Sequence, residues 1–436
     1  TTSRCSSAAS DVYKRQSLET AAADVQPAVG AGSSFRVAVS FRPRDKPVLT
    51  LHEHEALYAQ KYELVIMAQQ AYSSLGRMIG QMDRAGRLRH LEAVVSGKSI
   101  NALKKRLSQI VDLLEWGSFA HVQLFPLTDR VLCSYAMGLR DAGASLGRIQ
   151  GAGECFHFLH YVLGFDMEGQ PCSAPVYKGL VRGLRRARPV RKQARPLTVR
   201  EVCALEEYLA DASRDPIDRY GIGCFLFALY SRGRLGDLQE IGLATLDLCD
   251  EASAVSDGYI EIHSRSHKMR AVGQSIGLEL PLVAPALGVG EGSWGRNFVK
   301  VAEMVGRPLQ SLRAGDPLLP APDLHGRWTD RATTTEELTK WALDALKSRV
   351  LEVAPGLSGH SAKVTTLSWL AKFGASEDDR AVLGHHANPH TKSVHIYSRD
   401  LQSGPLRALE GVLRGIRCGS FRPDSSRSGM LREDCL

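Results

Sequence analysis

Four stretches in the C-terminal half carry side chains whose types and spacing could do chemistry on a phosphate. In SRGRLGDLQEI, Arg234 and Asp237 stand three residues apart, a spacing that puts both on one face of a helix. Such an arginine can point at a phosphate while the acid holds it, or the two can form an ordinary surface ion pair. In HSRSHKMR, Lys268 falls in a turn between two strands, where an exposed lysine is also commonplace. In GHSAKVTTLSWLAKFG, His360 and Lys363 open a helix, whose free N–H groups and dipole favour an anion. The plain alternative there is a capping histidine beside a solvated lysine. The last stretch, LGHHANPHTKSVHIYSRD, holds His385, His386, His390, His395 and Tyr397. Zinc is one reading of such a cluster, but no cysteine or carboxylate nearby completes a tetrahedral set, so no metal is expected.

The elements that must position these residues can be read from periodicity. The predicted fold is mainly α with a small β-sheet (α+β). Residues 1–50 are Ser-, Ala-, Gly- and Pro-rich and read as a disordered lead-in, the opening stretch being patternless enough to be foreign to the fold. Residues 51–96 read as a helical extension. From Ser99, apolar residues recur three and four apart through Leu103, Leu107, Ile110, Val111, Leu113 and Leu114, the mark of an amphipathic helix. With helices near 128–141 and 149–163, residues 97–180 form a compact helical unit. Residues 181–196 read as a basic linker carrying Arg182, Arg185, Arg186, Arg188, Arg191, Lys192 and Arg195, with Pro189 and Pro196 against a long helix. That run is either a solvated linker, which could double as an import signal, or a strap along phosphates. Thr198 with Glu201 marks a new helix start, and helices are predicted to continue to about Ile241. YIEIHSRSHK and SIGLELPL are predicted strands. Helices are then predicted over 294–306, 334–353, 360–373 and about 397–416, with Val364, Leu367, Leu370 and Ala371 of the 360–373 helix facing the core and Gly374 as its C-cap.

Composition limits the function classes. The formal net charge of +8 fits a polyanionic partner without requiring one. The nine cysteines include no CxxC pair, which argues against a disulfide framework and for a reducing compartment. The longest apolar stretch, 220–230, is too short to span a bilayer and reads as a buried helix. The N-terminus lacks the apolar core of a secretory signal, so secretion is not expected.

Taken in order, the four stretches resemble the tyrosine recombinases, the family of phage integrases and the Xer and Cre recombinases. That family has an arginine followed three residues later by an acid, a lysine in a β-hairpin, His-x-x-Arg on a helix, Leu-Gly-His, and then a tyrosine. The matching positions are Arg234 with Asp237, Lys268, His360 with Lys363, Leu383-Gly384-His385, and Tyr397. The resemblance covers roughly residues 97–417. It implies a helical core-binding domain at 97–180, the basic linker, a catalytic domain at 197–417 entered through Pro196-Leu197-Thr198, and a tail at 418–436. HSAKVTTLSW and IYSRD are closer in flavour to recombinases of eukaryotic mobile elements. Three departures stand out. Lys363 occupies the place of the family's second arginine, keeping the charge but losing the planar fork. The gap from His385 to Tyr397 is longer than usual. His386 competes with His385 for the family's histidine.

The resemblance implies a Tyr397 hydroxyl that attacks a DNA phosphodiester, leaving a 3′-phosphotyrosyl link and a free 5′-hydroxyl. Arg234, Lys363, His360 and His385 would supply cations to the charged transition state, Lys268 would protonate the leaving oxygen, and Asp237 would orient Arg234. No cofactor is needed, because the phosphotyrosyl bond conserves the energy of the broken linkage. The implied partner is double-stranded DNA, with self-association on it and no membrane, in the nucleus or another DNA-associated intracellular setting. The competing readings are a DNA-binding protein that keeps the fold without cutting, a type IB topoisomerase, and a helical scaffold with accidental matches.

Overall fold

The computed structural model describes residues 51–187, 193–249, 257–265, 279–323, 325–350, 352–353, 355–385, 401–427 and 429. The fold is mainly helical with small antiparallel sheets, as predicted. Its buried apolar residues fall into two clusters, one before and one after the basic stretch.

The first cluster is built by α1 (Leu51–Ala68), α2 (Ser74–Ile79), α3 (Arg84–Val95), α4 (Ile100–Phe119), α5 (Asp129–Asp141), α6 (Leu146–Tyr161) and α7 (Pro175–Ala187). Asp83, Ser99, Thr128 and Ser145 cap α3 to α6, each side chain accepting a backbone N–H of the first turn. Leu103, Ile110 and Leu113 form the buried face of α4. Residues 51–96 do not stand apart from the helical unit after them. Tyr58, Tyr62, Ile66, Leu91 and Val95 share one core with Leu103, Leu132, Phe156 and Tyr177, and the Tyr62 hydroxyl donates to the Leu103 carbonyl at 2.8 Å.

The predicted linker at 181–196 is helical at its start. Pro175 begins α7, where its missing N–H costs nothing, and the next proline lies beyond the helix end. Leu180, Val181 and Leu184 pack on the first cluster, which leaves Arg182, Arg185 and Arg186 exposed on the other face. Arg188, Arg191 and Lys192 lie outside the described residues.

The second cluster centres on α9 (Pro216–Tyr230), whose side chains are buried on every side from Asp218 onward. Around it pack α8 (Val199–Ala210), α10 (Trp294–Met304), α11 (Thr335–Lys347) and α12 (Ser361–Phe373). Glycine permits this crowding. A Cβ at Gly223 would fall 2.2 Å from a Phe298 ring carbon, and one at Gly221 2.7 Å from the Trp341 indole. Thr198 and Glu201 make the predicted capping box at the start of α8.

Helix does not continue to Ile241. It stops at Tyr230, and a strand that periodicity did not predict comes next: β1 (Ile241–Leu248) pairs with β2 (Gly258–Ser264), which pairs with β3 (Leu280–Pro285), all antiparallel. A second small sheet, β4 (Pro320–Pro322) with β5 (Trp328–Ala332), was also not anticipated. α11 ends at Lys347 rather than near Val353. Beyond α12 come α13 (Glu377–Leu383) and α14 (Ser403–Arg417). The tail is partly tied down. Phe421 lies in the second cluster against Phe373, and Asp424 accepts the Val199 N–H at 2.7 Å. Among the described residues no helix is long and apolar enough to cross a membrane.

Candidate active site

Three segments far apart in the chain meet at the C-terminal end of α9. They are the turn after α9 (231–238), the first turns of α12, and the end of α13 with His385. The joins are polar. The His385 Nε2–H donates to the Ser231 carbonyl at 3.0 Å, Lys363 Nζ donates to the Gly384 carbonyl at 2.6 Å, and Arg232 Nε donates to the Leu383 carbonyl at 3.3 Å. Thr366 on α12 adds a hydrogen bond to the Leu229 carbonyl at 3.0 Å.

Arg234 and Asp237 do not share a regular α-helix face. Residues Leu235–Leu238 form a single 3-10 turn with Arg234 just before it. The Asp237 carboxylate accepts the Arg234 backbone N–H at 2.8 Å, so the acid fixes the main chain at the arginine. Arg234 itself is half-buried at the rim. The Ser264 hydroxyl, at the end of β2, donates to the Asp237 carbonyl at 2.6 Å. The hairpin between β2 and β3 therefore leaves the sheet beside this turn, with Ser264 and Leu280 as its register pair. Lys268, on that hairpin, lies outside the described residues.

On α12 the predicted core face holds at Leu370, fades to partial burial at Leu367 and Val364, and fails at Ala371. Ala362, Thr365, Thr366, Trp369 and Leu370 point inward, Val364 and Leu367 sit at the rim, and Ala371 is exposed. Polar residues can face inward here because backbone carbonyls receive them: Thr365 donates to the Ser361 carbonyl at 2.7 Å and itself accepts the Leu197 N–H at 2.8 Å. That last bond seats the Pro196-Leu197-Thr198 entry against the site helix. Gly374 ends α12 at φ 96°, as the sequence predicted. His360 is exposed just before the first turn and makes no capping hydrogen bond, which removes the capping reading for it.

Lys363 is only 7% exposed. Burial, then the Arg234 charge nearby, push its pKa down to about 8, with Asp237 acting the other way and Arg232 adding to the fall. It remains mostly charged at neutral pH. His385 is not a cation. Burial and then the Arg232 charge press its pKa down to about 3, and the Ser231 carbonyl requires Nε2 to carry a proton, so the ring is the neutral Nε2–H tautomer. This corrects the expectation that His385 adds to the charge of the site. Its role in the structure is to tie the Leu-Gly-His segment to the arginine-bearing turn. His386, His390, His395 and Tyr397 lie outside the described residues.

Arg232 was missed by sequence reasoning. It is wholly buried, at φ 55°, and burial lowers its pKa to about 9, still charged at neutral pH. Besides Leu383 it donates to the Tyr230 carbonyl through Nη1, while Nη2 has no hydrogen-bond partner among the described residues. An arginine two residues beyond the apolar run 220–230 was the available signal. Its positive φ was not legible. Of the basic residues at 181–196, Arg195 is paired with Glu201 at 2.7 and 2.9 Å, which leaves Arg182, Arg185 and Arg186 as exposed cations among those described.

No family model and no curated protein matches the chain. Among solved structures it is similar to a lambda integrase dimer bound to a COC′ core site, at 15% identity over 81% of this chain and 97% of that one, with a TM-score of 0.40. It is also similar to the XerH site-specific recombinase bound to palindromic difH substrate, at 12% identity, 82% and 97% coverage and a TM-score of 0.46. A third is the Tn1549 transposon integrase in complex with transposon right end DNA, at 13% identity, 80% and 97% coverage and a TM-score of 0.39.

Proposed function

We propose that this chain is a tyrosine recombinase that binds double-stranded DNA and cuts and rejoins its strands through Tyr397. The observation that carries the reading is the convergence of Lys363 and the Leu383-Gly384-His385 segment on one corner, joined by hydrogen bonds, with the Arg234 charge acting on both Lys363 and His385 from up to 151 residues away in the chain. Two described anchors support the remaining roles. Ser264, four residues before Lys268, is bonded to Asp237. Gln402, five residues after Tyr397, donates to the Pro281 carbonyl one residue from the pairing partner of Ser264. Four or five residues of chain span at most about 14–18 Å, a reach compatible with the roles proposed for both side chains.

In this reading the Tyr397 hydroxyl attacks phosphorus. A 3′-phosphotyrosyl bond forms as the bond to the 5′-oxygen breaks, and Lys268 gives that oxygen its proton. Arg234 and Lys363 stabilise charge on the non-bridging oxygens. His360 stands exposed at the start of α12, where it can meet the DNA. His385 works as a neutral strut. The exposed face of α7, with Arg182, Arg185 and Arg186, lies along the phosphate backbone and makes binding salt-sensitive.

One observation favours a second reading, a DNA-binding protein that no longer cuts. Lys363 spends a hydrogen bond on the Gly384 carbonyl and is turned inward, where the family's arginine would offer a fork. A duplex nicked near the cleavage site separates the two. Under the cleaving reading the wild-type protein is trapped as a covalent adduct on a denaturing gel, Tyr397→Phe traps none while still shifting the duplex, and Lys363→Arg keeps or raises the yield. A wild-type protein that shifts the duplex yet forms no adduct establishes the binding-only reading.

A further inference from the structure

We infer that Arg232 is a positioning residue of this site: its buried guanidinium locks the Leu383–His385 turn onto the end of α9 and places a fixed positive charge beneath Lys363 and His385. The inference rests on the recombinase reading for what the site does, but the geometry stands by itself.

Arg232 reaches both sides of the join, donating to the Leu383 carbonyl on α13 and to the Tyr230 carbonyl on α9. His385 returns the contact by donating to the Ser231 carbonyl, and Lys363 seals it from α12 through the Gly384 carbonyl. The arginine is expensive. It is 0% exposed, sits at a positive φ, and buries an Nη2 that no described residue accepts. A side chain serving only packing would be better as an apolar residue of the same volume. Strain and an unpaired buried cation in one residue, next to the candidate chemistry, point to function. The titratable groups its charge acts on are Lys363 on α12 and His385 after α13, and Lys363 also feels Arg234 and Asp237 of the following turn. Burial keeps the His385 ring neutral and the Arg232 charge adds to it, while at Lys363 the Arg232 charge adds a smaller push to those of burial and Arg234.

Arg232→Met tests this, with Arg232→Lys as its charge-retaining companion. The Met variant is expected to melt within a few degrees of the wild type, because the loss of a buried unpaired cation offsets the donors lost by the Leu383 and Tyr230 carbonyls. Its rate of adduct formation on nicked duplex falls about tenfold or more, as the turn loses its register. The alkaline fall of that rate, near pH 8 in the wild type, moves to higher pH in the Met variant and stays in place in the Lys variant. In 15N spectra of histidine-labelled protein, His385 (assigned with His385→Gln) shows a single Nε2–H tautomer in the wild type and a tautomer mixture in Arg232→Met. A Met variant with the wild-type tautomer and rate overturns the inference, as does one whose rate falls only in proportion to lost folded protein. Should the Met variant not fold, an alkaline limb displaced in the Lys variant overturns it and one that stays supports it. A wild type that traps no DNA removes the cleavage reading, while the His385 tautomer in the two variants still decides the role of Arg232.

Discussion

Tyr230 and Arg232 are two residues apart and both wholly buried, yet the polar groups around them are arranged in opposite ways. At Tyr230, the Glu206 carboxylate accepts the phenol O–H, the Val289 N–H at 3.1 Å and the Gly290 N–H at 2.7 Å. Every strong donor there meets an acceptor. At Arg232 three cations crowd together, one guanidinium nitrogen is left over, and no described carboxylate pairs with the arginine. A buried network that is closed specifies and holds a fold, whereas one left open and positive is costly until an anion arrives. The first belongs to the stability of the second cluster, and the second is where the proposed chemistry would sit.

The sharpest way to break this contrast is to remove a cation from the open network. Arg234→Ala keeps the backbone bond to Asp237, since that bond uses the main-chain N–H. Its thermal midpoint is expected to stay within a few degrees of wild type. Adduct formation falls by about 10²- to 10³-fold, the usual cost of losing one donor to a developing oxyanion. A large fall in melting temperature with an equal fall in activity would make Arg234 a structural residue and erase the distinction.

The closed network should respond the other way. Glu206→Gln sets an amide N–H₂ against the Gly290 N–H, and is expected to cost about 2–3 kcal/mol of stability in urea titrations, with the adduct rate per folded molecule unchanged. Burial raises the Glu206 pKa from 4.5 to about 7, against the pull of Tyr230, Gly290, Val289 and Arg417. The folded protein therefore binds a proton that the unfolded chain has released over this range. The resulting stability is fully present below about pH 4.5 and lost as pH rises through 7, a change on the order of 3 kcal/mol. The Gln variant lacks that slope, so the gap between the two proteins narrows from about pH 5 to about pH 8. Parallel pH profiles would show that Glu206 stays ionised throughout.

The same contrast explains what could be read before the structure. Elements whose information is local were legible: the capping box of Thr198 and Glu201, the Gly374 terminator, the amphipathic α4, the all-apolar α9. β2 and β3 were legible in part from alternation, the predicted stretches meeting them at 259–264 and 280–282, while β1 was not, because Ile241, Leu243 and Leu246 follow a helical run without a break that periodicity can see. The extent of the first core was hidden for a similar reason. α1 and α3 have no strong one-sided pattern, and it is the shared core of Tyr58, Tyr62, Ile66, Leu91 and Val95 with Leu103 that shows they belong with α4. At the site, the order of Arg234, Lys363 and His385 was legible as a family pattern. The protonation of His385 and the part played by Arg232 depend on burial and on neighbours more than 100 residues away, which local spacing does not encode.

The smallest effect concerns the hinge between the two networks. Thr366 donates to the Leu229 carbonyl, one residue before Tyr230 and three before Arg232, and so docks α12 on α9 at their junction. Leu229 also receives the Arg232 N–H at 3.3 Å, so its carbonyl keeps a partner when the hydroxyl is removed. Thr366→Val preserves shape and is expected to cost only about 0.5–1 kcal/mol, read by thermal melts, with adduct formation within about twofold of wild type. If α12 were held chiefly by this bond rather than by Ala362, Trp369 and Leu370 against α9, the loss would exceed about 2 kcal/mol. Lys363 would then drift from Gly384, and activity would fall with stability. A small, isolated stability loss instead places the register of α12 in its apolar face, leaving the polar contacts at the end of α9 free to serve the substrate.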